Sequence, residues 1–413
     1  MQILWGLGGV VVLLAIAYAL STNRGAISPR TVVVALLIQV AFAFVVLYWD
    51  LGRRALRLLT DGVQAAINSS NAGIEFLFGP VLPNGNGGVV FAFQVLPIII
   101  FFASLTSVLY HLKVLQWVVE ILGGALQRAL GTSKPESLSA TADIFLGPTE
   151  APLVVRPYVD RMTDSELFTV MVGGLASVAG STLVGYSLLG APLEYLLAAA
   201  FMSAPAALLM AKIMMPETEE PESRIPTAED EAATEERAEV LRYRNVIDAA
   251  ASGAADGLRL ALNVGAMLIA FISLIALVNL LLGSAGGLFG LEDLSLQLIL
   301  GYVFAPVAFA IGVPWREVLD AGTFIGQKVI LNEFVAYSSF GPRVDEFSEK
   351  TVAIVTFALA GFANFGTIAI LIGGVGGLAP SRRAQIAQFG LRALLAGTLA
   401  NLLNAAIAGM LIG

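Results

Sequence analysis

Two segments of the sequence, 132–156 and 315–340, carry acidic and polar side chains between short apolar arms. The first contains Asp143 and Glu150, and the second contains Glu333. A carboxylate in apolar surroundings is costly to bury, so we expect it to have a partner or a function. Such carboxylates can accept hydrogen bonds from sugar hydroxyls or help to hold a cation. The further polar candidates are Thr149, Ser177, Asn332, Asn364 and Thr367.

The composition indicates that these segments belong to a membrane protein. Of the 413 residues, 57% are hydrophobic and 13% are charged, and the mean hydropathy is +0.83. Soluble domains carry about twice that share of charge. The sequence has no cysteine and a single histidine, His111, which excludes thiolate sites and makes a histidine-based metal site implausible. We therefore expect no enzyme activity and no organic cofactor, and the candidate side chains could instead cap helix ends or join helices.

Apolar runs that could cross a bilayer need about 20 residues. They lie at 2–20, 31–49, 90–110, 260–283 and 387–412, with shorter or glycine-interrupted runs at 165–187, 192–214 and 350–376. Three intervening stretches are predicted to be interfacial helices, namely 113–130, 244–259 and 294–312. The two polar segments are predicted to be re-entrant helical hairpins, whose tips line a cavity instead of touching lipid.

An internal repeat relates the two hairpins. The same separation of 183 residues lies between Glu150 and Glu333 and between Ser165 and Ser348. Three predicted crossings separate the hairpins, and because this number is odd the two units must be inverted. Inverted repeats with discontinuous helices are typical of secondary transporters. The predicted fold is an all-α integral membrane protein with about eight transmembrane helices and two re-entrant hairpins in an inverted repeat.

The predicted organisation follows from this repeat. Basic residues favour a topology with both termini outside, since the cytoplasmic segments then carry 14 of the 23 Lys and Arg residues, although Arg53, Arg54 and Arg57 oppose it. The predicted units are scaffold spans and an interfacial helix (1–130), the first repeat of a transport domain (131–215), an acidic cytoplasmic loop (216–243), an interfacial helix with a scaffold span (244–293) and the second repeat (294–413).

Several motifs closely resemble those of the concentrative nucleoside transporter family in its short bacterial form. They are GPTEAPLVVRPYV (147–159), LNEFVAYS (331–338), GFANFGTIAI (361–370), LYHLKVLQW (109–117) and NVGAMLIAFI (263–272). The resemblance covers essentially the whole sequence. It implies a homotrimer, surrounded by lipids of the bacterial inner membrane and without a nucleic-acid partner. It also implies ion-driven nucleoside import by an elevator-type movement of the transport domain.

The resemblance further implies roles for individual residues. The first hairpin would bind the nucleobase through Pro148, Thr149 and Glu150. The second hairpin and the broken helix after it would bind the ribose through Glu333, Asn364 and Thr367, with Asn332 and Phe362 lining the pocket. The sodium ion of sodium-coupled members would lie between Asp143, the carbonyl of Leu146, Ser177 and the carbonyl of Val178.

Two positions depart from the family's pattern. Pro148 stands where the family has a glutamine that contacts the base, and proline offers neither a side-chain donor nor an N–H. Asp143 stands where the family has an asparagine. An ionised Asp143 would bind a hard cation, whereas a protonated one could carry the proton itself. Both couplings stay open, and we expect sodium.

Three other functions fit parts of the pattern. An inverted-repeat transporter for another small polar metabolite would suit the altered tip at Pro148. An intramembrane hydrolase could use Glu150 and Glu333 as paired carboxylates, but the sequence carries no serine–histidine pair and no metal motif. A passive channel is disfavoured, because buried carboxylates at hairpin tips suit a binding site better than a conduction path.

Overall fold

The computed structural model describes residues 2–82, 90–148, 150–221, 243–288, 290–291 and 293–412. All regular elements of these residues are helices. In chain order, the helices of eight or more residues are α1 (Gln2–Ala19), α2 (Pro29–Ala43), α3 (Asp50–Phe78), α4 (Leu96–His111), α5 (Val114–Leu130), α6 (Lys134–Ala142), α7 (Asp164–Ala176), α8 (Gly180–Leu188), α9 (Leu193–Met214), α10 (Val246–Gly287), α11 (Leu296–Ala310), α12 (Val318–Ile330), α13 (Glu333–Phe340), α14 (Glu349–Leu359), α15 (Phe365–Leu378) and α16 (Arg383–Leu411).

Within the described residues, six stretches of helix are long and apolar enough to cross a membrane, and they fall into two groups. In Asp164–Leu188, Leu193–Met214 and Pro380–Leu411, between 78% and 94% of the most apolar part is buried. In Pro29–Tyr48, Phe91–His111 and Val246–Gly287, only 17% to 28% is buried. The first group therefore forms an inner bundle, and the second forms a periphery with an apolar outer surface.

Two helical stretches are broken in the middle, and we call them the broken spans. The first broken span consists of α7 and α8, which are separated by residues 177–179. The second consists of α14 and α15, separated by residues 360–364. Each begins with a hydroxyl cap, because Thr163 accepts a hydrogen bond from the amide of Glu166 and Ser348 accepts one from the amide of Thr351. The breaks leave helix-end carbonyl and amide groups inside the bundle, where they need partners.

The two polar segments have different shapes. In the first, α6 is followed by the first tip (residues 143–150), a 3-10 turn at Ala151–Val155 and a single helical turn at Arg156–Val159. Pro152 and Pro157 remove backbone donors from this second arm, which accounts for its irregularity. In the second segment, α12 and α13 are both α-helical and are joined at the second tip (residues 331–332).

The structure corrects the predicted boundary between an interfacial helix at 244–259 and a span at 260–283. Both belong to one continuous helix, α10, of 42 residues. Polar residues such as Asp256 and Arg259 lower the hydropathy of 244–259, but they do not interrupt the helix. Gly253 and Gly257 instead let α10 approach α4 closely, since a Cβ at Gly257 would lie 2.7 Å from the Cβ of Ala103.

Two further helices differ from expectation. The sequence predicts no span over residues 50–78, because this stretch is too polar. The structure has the 29-residue α3 there, and it buries Leu56, Ile67 and Ile74 on one face. The stretch 294–312 was predicted to be amphipathic and interfacial, yet α11 is apolar. It packs against α12 so closely that a Cβ at Gly322 would lie 2.7 Å from the carbonyl oxygen of Gly301.

Candidate functional site

The breaks of the two broken spans contact each other directly. The backbone amide of Phe362 donates a 3.1 Å hydrogen bond to the carbonyl of Ser177. The side chain of Asn401, in α16, donates from Nδ2 to the carbonyl of Ala176 at 2.6 Å and to that of Ala360 at 3.0 Å. These bonds satisfy carbonyl groups that the ends of α7 and α14 leave without helical partners. The residues on either side of the breaks are thereby held at fixed positions.

A connected group of polar side chains forms where the second tip meets the second break. Glu333 is 4% exposed and accepts a 2.9 Å hydrogen bond at Oε2 from Nδ2 of Asn364. It accepts a second one at Oε1, 3.1 Å from the hydroxyl of Tyr186. Oδ1 of Asn364 in turn accepts from the amide and the hydroxyl of Thr367, at 2.9 Å and 3.1 Å. We call Glu333, Asn364, Thr367 and Tyr186 the Glu333 group.

Asn332 and Phe362 adjoin the elements of this group in sequence. Asn332 caps α13, since its Oδ1 accepts a hydrogen bond from the amide of Val335 at 2.9 Å. Its Nδ2 is buried and has no hydrogen-bond partner among the described residues. Phe362 lies within the second break and is 9% exposed. An acceptor carboxylate beside a free amide donor and a hydroxyl is a combination that can bind neighbouring hydroxyl groups of a sugar.

Asp143 and Ser177 present buried oxygen atoms without partners. Asp143 directly follows α6 and is 1% exposed, and neither of its carboxylate oxygens has a hydrogen-bond partner among the described residues. The hydroxyl of Ser177, at the end of α7, is likewise buried and unpartnered there. Oδ2 of Asp143 lies against α7, since a Cβ at Gly173 would be 2.6 Å from it. A buried carboxylate in this situation calls for a cation or a proton.

Two further residues of the first tip, Phe145 and Pro148, contact the first broken span. Pro148 packs against the first broken span, since a Cβ at Gly174 would lie 3.1 Å from the Cβ of Pro148. The carbonyl of Phe145 accepts a 3.3 Å hydrogen bond from the amide of Gly180, where α8 begins. Val178, in the break itself, is 1% exposed. Thr149 lies outside the described residues.

Glu150 and Leu146 line a cavity of about 540 Å³ between the first tip and the peripheral helices. Oε2 of Glu150 accepts a 3.3 Å hydrogen bond from the amide of Gly147. Across the cavity, α4 and α10 present Thr106, Ser107, Tyr110, Asp256, Arg259 and Asn263. Among the described residues, none of the Glu333 group lines this cavity. The structure therefore brings Glu333 together with Asn364 and Thr367, and leaves Glu150 facing a separate space.

Three residues that join these parts were not among the predicted site residues. Lys328, in α12, is 1% exposed and donates a 2.7 Å hydrogen bond to Oδ1 of Asn401. A lysine and an asparagine within apolar stretches are the same signal that selected Glu333, so both could have been found. Tyr186 offered no such signal, because an aromatic residue in an apolar run is ordinarily part of the core.

Three family models match the chain one after another. Residues 8–81 match "Na+ dependent nucleoside transporter N-terminus", residues 92–193 match "Nucleoside recognition", and residues 195–409 match "Na+ dependent nucleoside transporter C-terminus". Together these matches cover nearly the whole chain and include both tips and both breaks.

Individual proteins are similar over the same length. The uncharacterized transporter YutK of Bacillus subtilis is 56% identical, with all of both chains covered. The nucleoside permease NupC of Helicobacter pylori is 49% identical, with 99% of this chain and 98% of the permease covered. The structure of CNTnw in an inward-facing substrate-bound state is 51% identical, with a TM-score of 0.94 over 100% of this chain and 98% of that one.

Proposed function

Since the chain belongs to the family of Na⁺-dependent, concentrative nucleoside transporters, we propose that it imports nucleosides as a symporter with sodium as the coupling cation. The observation that carries the proposal is the Glu333 group at the meeting of the second tip and the second break. Its carboxylate accepts hydrogen bonds from two donors, and the preceding residue, Asn332, has a buried amide nitrogen without a partner among the described residues. Such an arrangement can exchange hydrogen bonds with the hydroxyls of a ribose.

We assign the binding of the nucleobase to the first tip. Pro148, Thr149 and Glu150 form the base side of the proposed site, and Glu333, Asn364 and Thr367 form the ribose side, with Asn332 and Phe362 lining the pocket. Glu150 and the ribose side would have to approach a common ligand from different elements. A nucleoside that bridges them would bring the first tip and the second tip together, and this is the geometry we expect in the loaded protein.

The proposed cation site joins Asp143 and Ser177 with the carbonyl groups of Leu146 and Val178. It is supported by the carboxylate oxygens of Asp143 and the hydroxyl oxygen of Ser177, which are buried and have no hydrogen-bond partner in the described part of the chain. Carboxylate, hydroxyl and carbonyl oxygens are suitable ligands for a hard cation such as sodium. Proton coupling is the second candidate, and the same observation favours it, because a protonated Asp143 would also avoid an uncompensated buried charge.

We propose an elevator-type mechanism for the movement. The inner bundle would be the transport domain, formed by residues 131–215 and 294–413 in an inverted repeat with two re-entrant hairpins. The peripheral spans of residues 1–130 and 244–293 would be the scaffold, with 216–243 as a cytoplasmic loop. The division into buried and peripheral spans supports this assignment. The apolar outer surface would be covered by lipid and by two further copies in a homotrimer of the bacterial inner membrane, with eight spans and both termini outside.

The test is uptake of radiolabelled uridine into proteoliposomes under an imposed sodium or proton gradient. We expect concentrative uptake that saturates with uridine and requires inward-directed sodium. Uptake that does not saturate would indicate a channel, and a lack of nucleoside uptake with stabilisation by another metabolite would indicate a different substrate.

A further inference from the structure

Four elements of the inner bundle meet at one buried pair of side chains, Lys328 and Asn401. Both residues are 1% exposed. Nζ of Lys328 donates to Oδ1 of Asn401 at 2.7 Å, and Nδ2 of Asn401 donates to the carbonyls of Ala176 and Ala360. The amide group of Asn401 thus accepts a hydrogen bond at its oxygen and donates two from its nitrogen. The absence of a side chain at Gly361 permits this contact, since a Cβ there would lie 2.3 Å from Oδ1 of Asn401.

The two carbonyls held by Asn401 belong to the two halves of the proposed site. Ala176 immediately precedes Ser177, which faces the proposed cation position. Ala360 begins the break that contains Asn364, which donates to Glu333. Lys328 itself lies in α12, five residues before Glu333 and the second tip. The pair therefore connects the cation half, the nucleoside half and the second polar segment in one hydrogen-bonded unit.

An ammonium group suits this position. The last carbonyls of α7 and α14 carry the partial negative charge of helix C-terminal ends, which favours a cation nearby. Asn401 relays that interaction, because its amide points its positive end at the carbonyls and its negative end at the ammonium group. A neutral residue at 328 would keep the packing but lose the polarisation of Asn401.

We propose that Lys328 is a positioning residue that acts through Asn401 to couple the cation site to the nucleoside site. This inference rests on the function proposed above. A cation that binds beside Ser177 moves or rigidifies the end of α7, and Asn401 transmits that change to Ala360 and hence to Asn364. The same link transmits nucleoside binding back to the cation site, because thermodynamic coupling is reciprocal. The Phe362–Ser177 hydrogen bond also joins the two breaks, but it does not involve α12.

The experiment measures the coupling factor, defined as the ratio of uridine dissociation constants without and with the cation that drives uptake by the wild-type protein. We expect a wild-type factor of about 5 to 150, the usual range for coupled sites. Lys328→Gln keeps a hydrogen-bond donor without the charge, and Asn401→Ala removes the contacts to both carbonyls. Both substitutions should bring the factor close to one, and Lys328→Arg, which restores the charge, should recover part of it.

Matched controls separate coupling from a purely structural role. Asn404→Ala removes an equally buried asparagine one turn further along α16. Lys212→Gln removes a buried lysine that pairs with Glu136 and lies away from both breaks. Both controls should lower the melting temperature without changing the coupling factor. If Lys328→Gln does not yield folded protein, Asn401→Ala and Lys328→Arg decide the question.

The outcomes distinguish this inference from the proposed function. A wild-type protein that binds no nucleoside would refute the proposed function itself. A wild-type protein that binds uridine with a cation-dependent affinity, together with folded variants that keep the wild-type factor, would overturn the role of Lys328. A wild-type factor of one would overturn it as well.

Discussion

The hydroxyl of Tyr186 donates a hydrogen bond to Oε1 of Glu333 over 3.1 Å. Tyr186 belongs to α8 and Glu333 begins α13, so this bond joins the first broken span to the second tip. The ring of Tyr186 is fully buried and stacks on Tyr337, with 4.5 Å between the ring centroids. With Asn364 on its other oxygen, the carboxylate of Glu333 is held in one orientation before any substrate arrives. Preorganisation of this kind lowers the cost of binding.

Replacement of Glu333 by Gln should abolish transport and leave the fold intact. One acceptor oxygen becomes an amide donor that faces Tyr186 or Asn364, which both donate in the wild-type protein. Hydrogen bonds to charged groups contribute about 1.5–3 kcal/mol, so uridine affinity should fall about 10- to 150-fold. Binding to purified protein measures the effect, with Glu346→Gln, at an exposed glutamate that follows the second segment, as the control. Near-normal affinity in Glu333→Gln would remove this residue from the site.

Replacement of Tyr186 by Phe should weaken nucleoside binding while the aromatic stack is retained. The variant loses only the hydroxyl that orients Glu333, and the loss of one bond to a carboxylate should cost about tenfold in affinity. Tyr195→Phe is the matched control, because Tyr195 also donates to a glutamate, Glu349, at 3.3 Å, but at the start of α9. We expect Tyr195→Phe to leave uridine affinity unchanged. Equal effects of the two variants would show that general stability accounts for the result.

Replacement of residues 222–242 by a short Gly/Ser linker should preserve uptake. The sequence predicts that the whole stretch 216–243 is a solvated loop, and most of it lies outside the described residues. Its first residues are packed, however: Glu217 accepts a 2.9 Å hydrogen bond from Thr163, lies 3.6 Å from Lys212, and is followed by the buried Pro221. A linker that replaces 216–243 entirely should therefore lower the melting temperature. Loss of transport by a folded 222–242 variant would contradict this prediction.

Much of the helical architecture follows from the sequence because burial of apolar runs in lipid requires helices. The runs at 2–20, 192–214 and 387–412 correspond to α1, α9 and α16. The glycine-interrupted runs at 165–187 and 350–376 correspond to the two broken spans. The amphipathic α3 was missed because hydropathy detects spans but gives little signal for a helix with only one apolar face.

The site could be predicted in parts. Isolated polar residues in apolar surroundings indicated Glu333, Asn364 and Thr367, which hydrogen bonds connect in the structure. They also indicated Asp143 and Ser177, whose side-chain oxygens have no partner within the described ranges. The pairing of Glu333 with Tyr186 could not be predicted, since it depends on how α8 packs beside α13. The separation of Glu150 from the Glu333 group also depends on packing. Sequence spacing relates the two glutamates as repeat positions but does not say which cavity each one faces.

The last prediction concerns Asp143, whose carboxylate lies buried beside α7 without a hydrogen-bond partner among the described residues. If Asp143 is ionised and binds sodium, uridine uptake should saturate with sodium. Uptake should then vary little from about pH 6 to pH 8, because a bound sodium ion stabilises the ionised carboxylate. Asp143→Asn should retain sodium-driven uptake with weaker sodium affinity, since the amide oxygen still coordinates a hard cation.

Proton coupling makes the opposite prediction for the same variant. If Asp143 carries the proton, a pH gradient should drive uptake without sodium, and Asp143→Asn should abolish concentrative uptake because an amide cannot bind and release that proton. Proteoliposome uptake under separate sodium and pH gradients distinguishes the two cases, with Asp160→Asn, at an exposed aspartate, as the control. We expect the sodium result. Full concentrative uptake in sodium-free buffer, lost in Asp143→Asn and kept in Asp160→Asn, would overturn it.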